Sequence, residues 1–214
     1  MSVAVKICGL DRADSVDAAV QNGAAYVGFV FYPPSPRNLS PEAAAPLIAR
    51  VPENVSRVGL FVDPTDDLIN AVLALSSLDL VQLHGSETPA RVTEIKQLTN
   101  LSIMKVIKLA GPEDLASAAA YYDVADRLLF DAKAPADMKN ALPGGNALAF
   151  DWELLRDADI PLPWMLAGGL DAENLAEAVS ISGASELDVS SGVESAPGIK
   201  DLKLIKDFLS AAKG

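Results

Sequence analysis

Cysteine and histidine are nearly absent from this chain of 214 residues; each occurs once, as Cys8 and His84. A lone cysteine cannot close an intramolecular disulfide. That excludes a disulfide-framework protein and fits a reducing compartment, so a cytoplasmic location is expected. Without a cluster of cysteines and histidines, no metal site of the structural zinc type is expected either. Basic charge is also scarce: 17 Lys and Arg stand against 29 Asp and Glu, for a net charge of −12. A nucleic-acid partner needs a basic face for its phosphates, so none is expected. The acidic excess leaves room for a small anionic ligand, because a few cations and helix N-terminal N–H groups suffice to hold one phosphate. No apolar run reaches the ~18 residues that would suggest a membrane span. Residues 1–9 lack the basic and apolar regions of a signal peptide.

What the chain does contain is a rhythm. Short apolar runs read as strands at 3–7, 26–31, 57–62, 78–83, 103–107, 127–130, 164–167 and 185–189. Between and after them, helical patterns fall at 14–22, 41–50, 66–75, 89–98, 113–121, 151–155, 172–181 and 200–212. Ser40 reads as an N-cap ahead of Pro41 at a first helical position, and Asp151 as the cap of a short helix. Strands that alternate with helices imply a parallel sheet. Eight such units, with no linker or low-complexity segment left over, predict an α/β protein. Its expected form is a (β/α)8 TIM barrel, with residues 1–214 as a single domain. An open doubly wound sheet is the alternative architecture. The longest expected loop is 132–149, after the sixth strand.

In such a barrel the chemistry sits at the C-terminal ends of the strands, so the residues there are the candidates. Gly168 and Gly169 follow the seventh run, and Ser190, Ser191 and Gly192 the eighth. Glycines let successive N–H groups approach an oxyanion, and phosphate sites of this fold often lie at these two places; ordinary turns are the plainer reading of either loop alone. Cys8 is either a small buried apolar residue or a thiolate lowered by a nearby cation. Lys6, two residues upstream, points to the same face and can tune Cys8 or bind a substrate anion. Asp131 is a loop cap or an acid/base group; with Cys8 it would place two such groups on different sides of a barrel mouth. Arg37 follows Pro33, Pro34 and Pro36 and is either a stiffened fork for a carboxylate or phosphate or a solvated surface charge. His84 can serve as a substrate hydrogen-bond donor, a loop cap or, last in rank, a base. Asp188 is a structural hydrogen-bonding residue or a ligand contact. Trp152 and Trp164 read as packing residues, and Asp66, Asp67, Asp157 and Asp159 as solvated charges.

With these residues in view, the sequence resembles the phosphoribosylanthranilate isomerases of tryptophan biosynthesis. The matching segments lie in order at 6–9, 28–31, 34–37, 58–63, 81–85, 129–133, 150–152, 166–170 and 188–194. No one of them is decisive; the ordered set is specific. The resemblance implies a barrel that needs no cofactor and that rearranges N-(5-phosphoribosyl)anthranilate by Amadori chemistry. It implies Cys8 as general base and Asp131 as general acid. Arg37 would face the anthranilate, Asp188 the ribose, and the glycine loops the phosphate, with His84 lining the site. One departure stands out. The family often carries a Gly-Gly-Thr-Gly type of segment ahead of Phe150, Asp151 and Trp152, whereas residues 143–149 here read Pro-Gly-Gly-Asn-Ala-Leu-Ala. That leaves open how the 132–149 loop closes over substrate. The related isomerases of histidine biosynthesis use two aspartates, against which Cys8 argues. A non-catalytic phosphate-binding barrel would have no use for both Cys8 and Asp131. The expected partner is a small phosphorylated molecule; monomer and homodimer are both open.

Overall fold

Eight parallel strands close into a barrel in the computed structural model of the chain, which describes residues 3–134, 144–145 and 148–214. The strands are β1 (Ala4–Cys8), β2 (Tyr26–Phe31), β3 (Ser56–Phe61), β4 (Leu80–Leu83), β5 (Ser102–Leu109), β6 (Arg127–Ala132), β7 (Trp164–Leu166) and β8 (Glu186–Val189). Each pairs with its sequence neighbour, and β1 pairs with β8 to close the ring. The open-sheet alternative is thereby excluded. Outside lie α1 (Ala13–Gln21), α2 (Pro41–Ile48), α3 (Asp66–Leu75), α4 (Pro89–Thr99), α5 (Pro112–Ala116), α6 (Leu175–Ser182) and α7 (Leu202–Ala211). Ser40, Thr65 and Thr88 cap α2, α3 and α4 by accepting N–H groups of Ala43, Leu68 and Arg91, and Pro41 and Pro89 occupy first-turn positions that have no use for an N–H.

Side chains alternate across each strand, so the barrel has two cores. The outward set packs under the helices and includes Val5, Ile7, Val27, Phe29, Phe61, Ile103 and Phe130. The inward set fills the barrel with Val58, Leu80, Met104, Val106, Leu129, Met165 and Ala167. Burial on both faces explains why these strands read as continuous apolar runs rather than as alternating ones. Below this plug Arg127 pairs with Glu186 and lies over the Tyr26 ring. Above it Lys6, Gln82, Asp131 and Asp188 bring polar groups to inward positions, beside an apolar cluster of Cys8, Val30 and Leu60.

The structure corrects several boundaries. Strands β5 and β6 run to Leu109 and Ala132, so Lys108 and Asp131 lie within strands rather than after them. The helix expected at 113–121 divides into α5 and a 3-10 turn at Ser117–Tyr121; the Ser117 hydroxyl donates to the Asp114 carbonyl at 2.6 Å, a local bond that competes with helix continuation. The helix expected from residue 200 starts at Leu202, capped by Asp201. Lys200 instead belongs to a hairpin that sequence reading missed, β9 (Glu194–Ala196) against β10 (Ile199–Lys200). These strands are too short to show a period of two; only the Pro197-Gly198 turn signal announces them.

Candidate active site

A cavity of about 770 Å³, measured with its open mouth, occupies the C-terminal end of the barrel. Its walls include Cys8 from β1, Asp131 from β6, Asp188 from β8, and Arg37 and His84 from the loops after β2 and β4. Gly168, Gly169, Ser190 and Ser191 complete the side formed by the last two strand ends. Val30, Leu60 and Ala167 supply apolar wall between the polar groups. The strand ends and the loops that follow them thus gather nine of the eleven candidate residues around one space. The other two, Lys6 and Gly192, stand behind it.

Lys6 is fully buried one inward position below Cys8 and binds Asp188 Oδ1 at 2.9 Å. It does not reach the cavity wall. Its ammonium and the Cys8 sulfur both crowd the space that a side chain at Gly28 would fill, each 3.0 Å from where a Cβ would stand. Burial pushes the Cys8 thiol up, against the pull of the Lys6 ammonium. Burial also works against the charge on Lys6, but the ion pair with Asp188 opposes it, and Lys6 is held above its ordinary range. Cys8 is thus a thiol beside a permanent cation.

Asp131 and His84 form a second pair. His84 Nε2 lies 3.1 Å from Asp131 Oδ2, and Gln82 Nε2 lies 3.2 Å from His84 Nδ1. An amide that donates to Nδ1 leaves the ring proton on Nε2, directed at the carboxylate. Asp131 Oδ1 accepts the N–H of Ala132 at 2.9 Å. The Gln82 side-chain oxygen is buried and has no hydrogen-bond partner among the described residues. Gln82 is an inward residue of β4 to which sequence reading gave no role, although it lies within the matching segment 81–85.

Arg37 is buried, so of its two expected readings the solvated surface charge is excluded. Its Nε and Nη2 donate to the two carboxylate oxygens of Glu194 at 2.7 and 2.8 Å. On the far side of Glu194 stands Lys200, 2.7 Å from Oε1. Burial would push the Glu194 carboxyl up, but the two cations hold it below the usual range. Burial pulls Lys200 down even with Glu194 beside it. Neither Glu194 nor Lys200 was a candidate. Glu194 ends a matching segment, but its partner is 157 positions away, and Lys200 was read as the start of a helix.

The glycine ends of β7 and β8 have a geometric reason. Gly168 has φ 90°, and a Cβ there would stand 2.8 Å from the Ala132 nitrogen. A Cβ on Gly192 would stand 1.9 Å from the Leu170 carbonyl oxygen, so the loop after β8 can lie against the loop after β7 only with glycine there. Closure of the 132–149 loop concerns residues 135–143 and 146–147, which lie outside the described residues. Within the described part, Gly144 lies against His84 and Asp131, and Gly145 against Arg37. Trp164 packs edge-on against Phe130, with ring centroids 5.6 Å apart, and Trp152 packs against the outer core.

Fold and site together define a (β/α)8-barrel enzyme. Comparison with known proteins carries this further. The family model for N-(5'-phosphoribosyl)anthranilate (PRA) isomerase matches residues 5–211. The N-(5'-phosphoribosyl)anthranilate isomerase of Paramagnetospirillum magneticum is 56% identical over 215 aligned positions, covering 100% of this chain and 99% of the relative. A crystal structure of phosphoribosyl anthranilate isomerase from Thermotoga maritima superposes with a TM-score of 0.88 at 36% identity, covering 99% of each chain. Another, of a phosphoribosyl anthranilate isomerase in complex with reduced 1-(o-carboxyphenylamino)-1-deoxyribulose 5-phosphate, gives a TM-score of 0.84 at 35% identity, again over 99% of each chain. The chain belongs to the N-(5'-phosphoribosyl)anthranilate isomerase family.

Proposed function

We propose that this protein converts N-(5-phosphoribosyl)anthranilate to 1-(2-carboxyphenylamino)-1-deoxyribulose 5-phosphate in tryptophan biosynthesis, with Cys8 as general base and Asp131 as general acid. The observation that carries this reading is one cavity walled by a thiol, a carboxyl, an arginine and two glycine-bearing strand ends. Asp131 donates a proton to the furanose ring oxygen as the C1–O bond breaks, and the anilino nitrogen supplies the electron pair that makes an iminium. Cys8 then removes the proton from C2, and the C2–H electrons form the C1–C2 double bond of an enolamine. Ketonisation adds a proton at C1 and releases the one on the C2 hydroxyl. When Cys8 supplies the first and Asp131 takes the second, the cycle closes on the ionised Cys8 thiolate and the Asp131 carboxylic acid with which it began. The iminium is the electron sink within the substrate, so the scheme calls for no cofactor.

The physics of each group fits its role. A thiol raised by burial is a strong base once ionised, and the iminium that forms beside it favours that ionisation, as Lys6 does throughout. Asp131 is held in place for the acid role: His84 Nε2 lies at Oδ2, and the Ala132 N–H donates to Oδ1. The base reading of His84, ranked last on the sequence, has no place in this scheme: the ring sets the hydrogen bonding of Asp131. Arg37 faces the anthranilate carboxylate. The N–H groups of the Gly168-Gly169 and Ser190-Ser191-Gly192 loops hold the phosphate. A single cysteine with no disulfide partner fits a reducing compartment such as the cytoplasm.

The test is to generate phosphoribosylanthranilate in situ and follow the loss of its anthranilate fluorescence with the purified protein. Turnover without added metal or cofactor is the expected result. A folded protein that binds phosphate yet leaves the fluorescence unchanged would overturn the reading.

A further inference from the structure

We propose that Glu194 and Lys200 are positioning residues of this site: the β9–β10 hairpin carries them so that one buried charge network ties the Arg37 end of the cavity to the Ser190 end. The inference rests on the functional reading above, in which those two ends hold the two anionic parts of one substrate.

Glu194 is saturated. Oε1 accepts Arg37 Nε and Lys200 Nζ, each at 2.7 Å, and Oε2 accepts Arg37 Nη2 at 2.8 Å and the Gly198 N–H at 3.0 Å. The guanidinium is therefore gripped along one edge, and Nη1 is left on the side of Gly145 at the cavity wall. A fork held in this way presents a fixed donor to a planar carboxylate, with its rotamer freedom already lost before substrate arrives. Lys200 is saturated as well. Besides Glu194, it donates to the Ser190 carbonyl at 2.9 Å and to the Ser190 hydroxyl at 3.2 Å. The Ser190 hydroxyl in turn donates to the Cys8 carbonyl at 3.1 Å. Glu194 and Lys200 are absent from the cavity wall, so they act only through Arg37 and Ser190. A fully satisfied buried network of this kind locks relative positions, and here the two locked groups lie at the two ends of the ligand space.

A stapling role without effect on binding predicts something different, and a mutant cycle separates the two. Glu194→Asp keeps the charge balance but lacks the reach to hold both cations. It is expected to raise KM on the order of tenfold with a much smaller change in kcat, the signature of lost ground-state positioning. On an Arg37→Met background the same substitution is expected to add little, because the group it positions is gone. A wild-type KM for Glu194→Asp, or the same fold-increase on both backgrounds, would overturn the Arg37 half of the proposal. The charge-neutral double variant Glu194→Gln/Lys200→Met tests the other half. It is expected to weaken competitive inhibition by inorganic phosphate relative to Glu194→Asp; equal inhibition would overturn it. Absence of wild-type turnover sinks the functional reading itself, whereas wild-type turnover with an additive cycle sinks this inference alone.

Discussion

Two buried ion-pair networks in this barrel look alike and do different work. In one, Lys105 donates to Glu87 at 2.7 Å and to the carbonyls of Gly85 and Leu83, while Glu87 accepts the N–H groups of Asp63 and Gly85. In the other, Glu194 joins Arg37 and Lys200. Exposure does not separate them: Lys105 and Glu87 are 2% and 3% exposed, Arg37 and Lys200 5% and 3%. The carboxyl shifts do not separate them either. Burial pushes both carboxyls up, and their cations hold both below the usual range. What differs is the face. Lys105 lies on the outward side of β5, with its ammonium 5.6 Å from the Tyr121 ring centre, and clamps the ends of β3 and β4 under the helix layer. The Arg37 network leaves one nitrogen at the cavity wall. Buried charge marks a binding site only where part of it remains turned to the ligand space.

The comparison can be broken at three points. The largest effect belongs to the cavity itself. Cys8→Ser and Asp131→Asn are each expected to lower kcat ~10²-fold or more, with thermal midpoints close to wild type. A large drop in melting temperature with turnover retained would assign these groups to structure instead. Next comes the outer network. Glu87→Gln leaves the Lys105 ammonium buried without its counter-charge, which costs about 3–5 kcal/mol. Urea unfolding should show that loss, while the protein that remains folded keeps its KM. A raised KM in Glu87→Gln would erase the distinction between the two networks.

The smallest effects are those of pH. The folded pKa values of Glu87 and Glu194 are lowered, whereas glutamates of the unfolded chain titrate near ~4.3. The stability these groups contribute is present above that value and is lost as pH falls through the folded values. Melting temperature should fall with acid, and Glu87→Gln should flatten that fall; a parallel curve would count against the pairing. The Cys8 thiol is raised instead, so kcat/KM should climb as pH rises above neutral. A flat profile there would remove Cys8 as the titrating base.

Much of this was legible in the sequence, and the physics says which part. Buried parallel strands read as apolar runs because both faces are covered, so all eight strands were visible. Cys8, Asp131 and Asp188 stand at or just after the ends of these runs, which is what marked them as candidates. What the sequence hid was pairing at long separation. Nothing near Arg37 announces that its carboxylate partner lies at Glu194, nor does β4 announce that Gln82 faces His84. Lys105 sat in a strand that otherwise reads as apolar, and only its position under Tyr121 and beside Glu87 explains it. The β9–β10 hairpin, with strands of three and two residues, was too short for periodicity to reveal. The residues inferred to position the site were therefore the ones overlooked.

The central claim, that Cys8 takes the C2 proton while Asp131 opens the ring, meets its most direct test in an isotope measurement. Substrate carrying deuterium at ribose C2 would be turned over by Cys8→Ser and by Asp131→Asn, each against unlabelled substrate. The account predicts a primary isotope effect in Cys8→Ser, where proton removal has become the slow step. It predicts almost none in Asp131→Asn, where ring opening limits the rate. The reverse pattern would contradict the assignment of base and acid.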